Sequence, residues 1–255
     1  MGLVEIILLA ISGLLGGFIN TLAGNGSAFT LPALEFAGLP DDVANGTNRL
    51  SIVALGLVGT VSFYRRGLID WRESIPVVFV VSGGTIVGSF VAIGLSTLVL
   101  DIIIVIGLLV VLGLLLFRPQ RWILGGEGEP DLLDLRQTIV YFLIGIYAGV
   151  IVLGAAFFML AALVMITGFD LGRANALKVL LLLVGGLLSL LIFAESGEVD
   201  WAAGVPLALG SAIGAYGAAL LSSQEWAKVW LYRFLVLVVI VAIVHLLVRI
   251  MHEVS

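Results

Sequence analysis

Residues Asn20-Thr21-Leu22-Ala23-Gly24-Asn25-Gly26-Ser27-Ala28-Phe29-Thr30-Leu31-Pro32 lie inside an apolar run covering 3–37. That run is too long for one membrane-crossing helix, because a hydrocarbon core of about 30 Å takes roughly 20 helical residues. The small polar residues at 24–27 break it near its middle. Lipid offers no hydrogen-bond partner to backbone that leaves a helix, so such a break survives only where it is enclosed by protein or lines a polar cavity. The stretch therefore predicts a re-entrant hairpin, with Asn25-Gly26-Ser27 capping a half-helix from about Ala28 to Phe36.

The rest of the chain agrees with a membrane setting. Of its 255 residues, 61% are hydrophobic and only 11% are charged, against about 25% charged in a soluble domain. Mean hydropathy is +1.24. Full-length spans are expected at 44–63, 74–95, 98–117, 174–194, 202–222 and 229–250, and a second long run at 138–167 is broken around Gly154. The first run carries Glu5 where a signal peptide has basic residues, so it reads as a retained membrane segment. Residues 118–136 mix both charge signs with Gly and Pro and read as a cytoplasmic linker. This divides the chain into a first repeat (1–117), the linker (118–136) and a second repeat (137–255).

The halves match at a constant offset of 130 residues: Gly67, Asp70 and Trp71 fall on Gly197, Asp200 and Trp201, Ala44-Asn45 on Ala174-Asn175, and Pro76 on Pro206. Internal repeats of this kind recur in transporters. The loop after the first match carries Arg65, Arg66 and Arg72, whereas Glu195 to Trp201 has no Lys or Arg. Cytoplasmic loops attract Lys and Arg, so the two equivalent loops belong on opposite faces. The expected fold is thus an all-α polytopic membrane protein of two inverted-topology repeats, each a broken hairpin plus three transmembrane helices. All of the twelve Lys and Arg except Arg49 and Arg249 then lie on the cytoplasmic side. Eight plain helices would instead put Arg49, Arg173, Lys178, Lys228 and Arg233 outside.

Composition also excludes functions. Twelve Lys and Arg against seventeen Asp and Glu give no basic face for nucleic acid. The absence of Cys rules out disulfides and thiolate metal sites, and two His make a His-rich metal centre implausible. No Walker A loop or H-E-x-x-H motif is present, so no ATP-driven pump and no cofactor is implied. A membrane-embedded enzyme would need more than His245, the one histidine inside a span. A non-transporting assembly subunit has no use for two broken helices.

Candidate substrate contacts follow from the breaks. A half-helix N-terminus near the midplane suits an anion, with Asn20, Asn25 and Ser27 adding neutral donors. The stretch Asn45, Thr47, Asn48, Arg49, paired with Asn175 and Lys178 at the offset, opens the next helix in each half. A cation inside a span costs about 2.5–3.5 kcal/mol and persists where a cavity or partner compensates it. Arg49 would hold an oxyanion with its planar fork and Lys178 as a point charge. Asn45 and Asn175 serve equally as helix N-caps. Asp70 and Asp200 read as caps beside interfacial Trp.

At these residues the sequence resembles the TauE/SafE-type sulfite exporter family. The resemblance rests on AGNGSAFTLPAL near the start, on Ala44-Asn45-Gly46-Thr47 opening the next helix, and on the FYRRGLIDW loop, and it covers nearly the whole chain. It implies export of sulfite or an organosulfonate such as sulfoacetate, without ATP, from the inner cell membrane. The family's Gly-Gly-Gly cluster reads Gly24-Asn25-Gly26 here, and the second tip is the apolar Leu153-Gly154-Ala155-Ala156. Recognition is then expected to fall mainly to the first half. The partners expected are a small anion and the bilayer, with Gly-rich faces that permit a homodimer.

Symmetry places the N-terminus outside. A cysteine introduced at Gly2 of this cysteine-free chain should therefore react with an impermeant thiol reagent applied to intact cells. Protection there would put the first segment the other way round.

Overall fold

The computed structural model describes residues 2–22, 24–92 and 133–222, with isolated positions at 106, 109, 112, 113, 233, 236, 237, 240 and 244. Apart from those isolated positions, the expected spans 98–117 and 229–250, nearly all of the linker, and Arg118, Arg121, Lys228, His245 and Arg249 lie outside the described residues. Among the described residues every regular element is helical: α1 (Leu3–Leu22), α2 (Ser27–Phe36), α3 (Asp41–Tyr64), α4 (Trp71–Ala92), α5 (Leu135–Val150), α6 (Ala155–Met165), α7 (Leu171–Glu195) and α8 (Trp201–Ser222). Four of them, α1, α4, α7 and α8, are long and apolar enough to cross a bilayer. Helix α3 has the length, with 24 residues, but its first turns carry Asp41, Asp42, Asn45, Asn48 and Arg49.

Local chemistry sets the helix starts. Asp134 and Gln137 cap each other's backbone at the start of α5. Asp170 accepts from the N–H groups of Gly172 and Arg173 to open α7. Asp70 and Asp200 accept from Arg72 and Ala203 at the starts of α4 and α8. The expected cap of α2 is absent, as is the alternative role of Asn45 and Asn175 as caps. No side chain caps α2, whose N-cap is Gly26; the Ser27 hydroxyl is taken by Asn48 instead. Asn45 and Asn175 sit in the second turn of α3 and α7, past the capping position.

Both long apolar runs are broken, and a left-handed glycine sits at each break, Gly24 with φ of 94° and Gly154 with φ of 81°. That region is open to glycine at no steric cost. The chain folds back on itself at the first break. Ser12 Oγ donates to Phe29 O at 2.6 Å, and a Cβ on Gly26 would lie 1.9 Å from Gly16 O. α2 thus returns antiparallel along α1. All positive-φ residues among those described are glycines, and they fall into pairs at the repeat offset: Gly24 with Gly154, Gly38 with Gly168, Gly67 with Gly197.

Glycine also brings helices into backbone contact, as small residues do in membranes. Gly13 and Gly17 of α1 meet Leu207 and Ser211 of α8, so these helices run parallel. Gly84 and Gly88 of α4 meet Phe142 and Ile146 of α5 in the same way. Gly56 and Gly59 of α3 meet Leu183 and Val179 of α7, so that pair runs antiparallel. The ends of the bundle differ in charge. Asp200 N–H donates to Thr47 Oγ1 at 2.8 Å, which places Asp41, Asp42, Glu198 and Asp200 at one end. Desolvation and then the neighbouring Asp42 push the Glu198 carboxyl up. At the other end Arg173 pairs with Glu73, and Arg66 donates to Ala219 O.

Adjacent glycines test the α4–α5 contact. A Cβ on Gly84 would fall 2.2 Å from Phe142 O, whereas one on Gly83 meets only Phe142 Cε2 at 3.7 Å. Gly84→Ala should lower stability by about 1–3 kcal/mol through overpacking. Gly83→Ala should be neutral or stabilising by up to about 1 kcal/mol. Thermal unfolding of both variants in detergent checks the order.

Candidate functional site

The two hairpins leave helix ends inside the protein. α1 stops at Leu22 and α5 at Val150, and the last carbonyls of a helix have no partner within it. Each set is met by a cation from the other half. Lys178 of α7 donates from Nζ to Asn20 O at 2.9 Å, to Thr21 O at 3.0 Å and to its own helix's Asn175 Oδ1 at 2.8 Å. Arg49 of α3 donates to Ala148 O at 2.8 Å, Gly149 O at 3.0 Å and Val150 O at 3.3 Å. It also reaches Asn45 Oδ1 at 3.4 Å, and its guanidinium lies 5.0 Å from the Phe193 ring centroid. Asn45 Nδ2 adds a bond to Val150 O at 3.2 Å. The same device is built twice: an Asn, a cation one turn on, and the negative end of the opposite hairpin's helix.

Arg49 is 1% exposed and Lys178 is fully buried; they are the only charged side chains in the buried interior of the described residues. Neither has a carboxylate partner among the described residues. Both therefore leave the loop charges on which the expected orientation was counted. They do not snorkel to the interface as near-terminal cations often do. Among the described loop residues, Arg65, Arg66, Arg72 and Arg173 lie at the end opposite Asp41, Asp42, Glu198 and Asp200.

The first tip meets α3 through Asn48. Its Oδ1 accepts from Thr30 Oγ1 at 2.7 Å and its Nδ2 donates to Ser27 Oγ at 3.0 Å. Asn25 is 1% exposed, and neither of its side-chain polar atoms has a partner. Also unpartnered are Asn20 Oδ1, Thr21 Oγ1, Asn175 Nδ2 and Arg49 Nε. Buried polar atoms are nearly always satisfied, so these groups mark the helix ends around the first tip as a candidate binding region. The second tip contributes no such atom. Its Gly154 turn is enclosed by buried Val152, Leu153 and Ala156, and Tyr147 Oη closes it by donating to Leu153 O at 2.7 Å. A Cβ on Gly24 would lie 3.0 Å from Ala156 C, so the tips touch.

The structure thus brings together Asn20, Asn25, Ser27, Asn45, Asn48, Arg49, Asn175 and Lys178. Thr47 is elsewhere, holding the Asp200 loop. Phe193 and the carbonyls at 148–150 were not legible in the sequence; the only signal for them is that a buried cation requires a partner.

The family model described as "Sulfite exporter TauE/SafE" matches residues 9–246. The chain belongs to the TauE/SafE family. Its relatives include "Probable membrane transporter protein YfcA" of Escherichia coli (strain K12), 31% identical over 79% of this chain and 75% of its own length. "Probable membrane transporter protein ORF9" of a Sinorhizobium species is 28% identical over 87% of this chain and 84% of its own length. A Haemophilus influenzae "Probable membrane transporter protein" is 28% identical over 80% of this chain and 79% of its own. No solved structure matches. This TauE/SafE chain is accordingly a multi-pass membrane transporter, and its relatives' names are those of transporters, not enzymes.

In this TauE/SafE chain Asn48 alone ties the half-helix tip to α3 through side chains on both of its polar atoms. Asn48→Ala should cost about 1–3 kcal/mol, the penalty for leaving Thr30 and Ser27 without their buried partner. Denaturant or thermal unfolding measures the loss.

Proposed function

We propose that the chain exports a small sulfur-containing anion, sulfite or an organosulfonate, across the inner cell membrane by alternating access. The observation carrying this reading is the buried set of unpartnered polar atoms beside two cations that have no carboxylate. An anion fits that environment and a cation does not. The name of the family model supports the sulfur class.

The substrate's oxygens would take their hydrogen bonds from Asn25 Nδ2, Asn175 Nδ2, Thr21 Oγ1 and Arg49 Nε, which are among the buried donors left over. Lys178 Nζ and the terminal nitrogens Nη1 and Nη2 of Arg49 spend their N–H groups on carbonyl oxygens, so these groups act on the anion mainly through charge. Asn20 lines the same place, while Ser27, Asn45 and Asn48 hold its walls in position. The dipole of α2 adds to the field, since the positive end of that helix lies at Ser27.

The halves would be inverted-topology repeats. The antiparallel run of α3 against α7, helices at equivalent positions, is what that arrangement requires. Moving one half against the other about the α3–α7 seam would expose the site to each side in turn. Arg65, Arg66, Arg72 and Arg173 lie at the end assigned to the cytoplasm, and Asp41, Asp42, Glu198 and Asp200 at the end assigned to the exterior.

Asn25 separates binding from stability, because its side-chain polar atoms have no partner within the protein. Asn25→Ala should weaken anion binding about 10- to 100-fold, the worth of one or two hydrogen bonds to a charged ligand. Its melting temperature should stay at the wild-type value. A thermal-shift panel of sulfite, sulfate, thiosulfate, sulfoacetate and taurine, followed by sulfite flux in proteoliposomes, tests it. Wild-type affinity in the variant, or no stabilisation by any of these anions, overturns the reading.

A further inference from the structure

The acceptors around Lys178 converge on one point from two separate elements. Asn20 O and Thr21 O come from the last turn of α1, and Asn175 Oδ1 comes from the second turn of α7. The ammonium has three N–H donors, and the three oxygens at 2.8–3.0 Å take all of them. Such a trio, formed by the carbonyl end of a broken helix and a side-chain amide, is also the chemistry by which transporters coordinate a monovalent metal ion. Here the chain itself reaches in with a charged nitrogen.

Among the described residues no other charged group neutralises that helix end. The helices packed on α7 are α1, α3, α4, α5 and α6, and among the described residues the only other charged group in the buried interior is Arg49. Arg49 is held by Ala148 O, Gly149 O, Val150 O and Asn45 Oδ1. Asn45 and Asn175 occupy equivalent positions in the two halves, so the fold makes a cation-binding helix end twice and fills it twice with a side chain.

We propose that the Lys178 ammonium is a resident cation in a monovalent-cation site made by Asn20 O, Thr21 O and Asn175 Oδ1, so that the transporter holds its broken helix without a metal ion. This goes beyond the anion reading and does not depend on it. The wild-type protein is indifferent to Na+ and K+. Truncating the lysine opens a site for a free cation of similar size and charge, with methylammonium the best fit because it restores the missing ammonium. The oxygens remain in place, since α1 and α7 are each fixed by other contacts. Gly17 lies against Ser211, and Ser89 Oγ meets Ser189 Oγ at 2.9 Å.

The test uses the full chain purified in detergent, with no sulfur anion present, so its outcome is separate from that of the anion panel. Melting temperatures of the wild type and of Lys178→Ala are compared in choline, Na+, K+ and methylammonium chlorides at equal ionic strength. The wild type should melt at one temperature in all of them. Lys178→Ala should melt lower in choline and recover in methylammonium, with a rise that grows logarithmically above the cation's dissociation constant. Lys178→Ala combined with Asn175→Ala should lose that recovery. A Lys178→Ala protein that responds to no cation overturns the proposal, as does a recovery that survives removal of Asn175. Should Lys178→Ala not fold in choline, its yield of folded protein on purification in methylammonium decides: rescue there agrees with the proposal, and failure to rescue overturns it.

Discussion

Everything at the centre of this transporter depends on how the carbonyl ends of two broken helices are satisfied away from water. A helix that stops inside a bilayer protein exposes its last carbonyls and the negative end of its dipole. Leaving them bare costs several kcal/mol per group. Lys178 resolves this for α1 and Arg49 for α5, and in both cases the cation comes from the opposite half. The hairpins are therefore tied across the repeat boundary, and neither half is complete without the other.

The same bonds account for the electrostatics of the site. Each cation offsets roughly half an elementary charge of helix dipole, which leaves net positive character among the tips with no acid to quench it. A set of unpartnered amide and hydroxyl atoms sits in that field, mostly on the first tip. The second tip is closed by apolar side chains and by the Tyr147 hydroxyl. The asymmetry matters because the backbone repeat is close, down to the paired left-handed glycines. The halves share architecture and differ in chemistry, so recognition chemistry concentrates on one of them.

Glycine does the remaining structural work. Along α1–α8 and α4–α5 the helices approach until backbone meets backbone, because no side chain intervenes. Contacts this close are made by dispersion and shape, which substitute in lipid for the hydrophobic drive that is missing between helices there. They fix the parallel pairs, and the pairs in turn set where α3 and α7 cross.

The sequence by itself determined the all-helical membrane class, the two breaks and the 130-residue repeat, since these follow from run length, from glycine and from what lipid refuses to solvate. It also named most of the polar residues at the centre. It placed Arg49 and Lys178 there without their partners, because backbone carbonyls carry no sequence signature and become acceptors only where a helix ends. It offered Asn45 and Asn175 as substrate contacts or as helix caps, and the capping alternative fails because a helix start shifted by a few residues turns a cap into an interior position; Thr47, also named for the site, turns its hydroxyl to the Asp200 loop. Only the tertiary structure decided which cation meets which helix end and which polar atoms stay unpartnered. Those are facts about the crossing of α3 and α7 and the meeting of the tips, and they join residues more than a hundred positions apart in the chain.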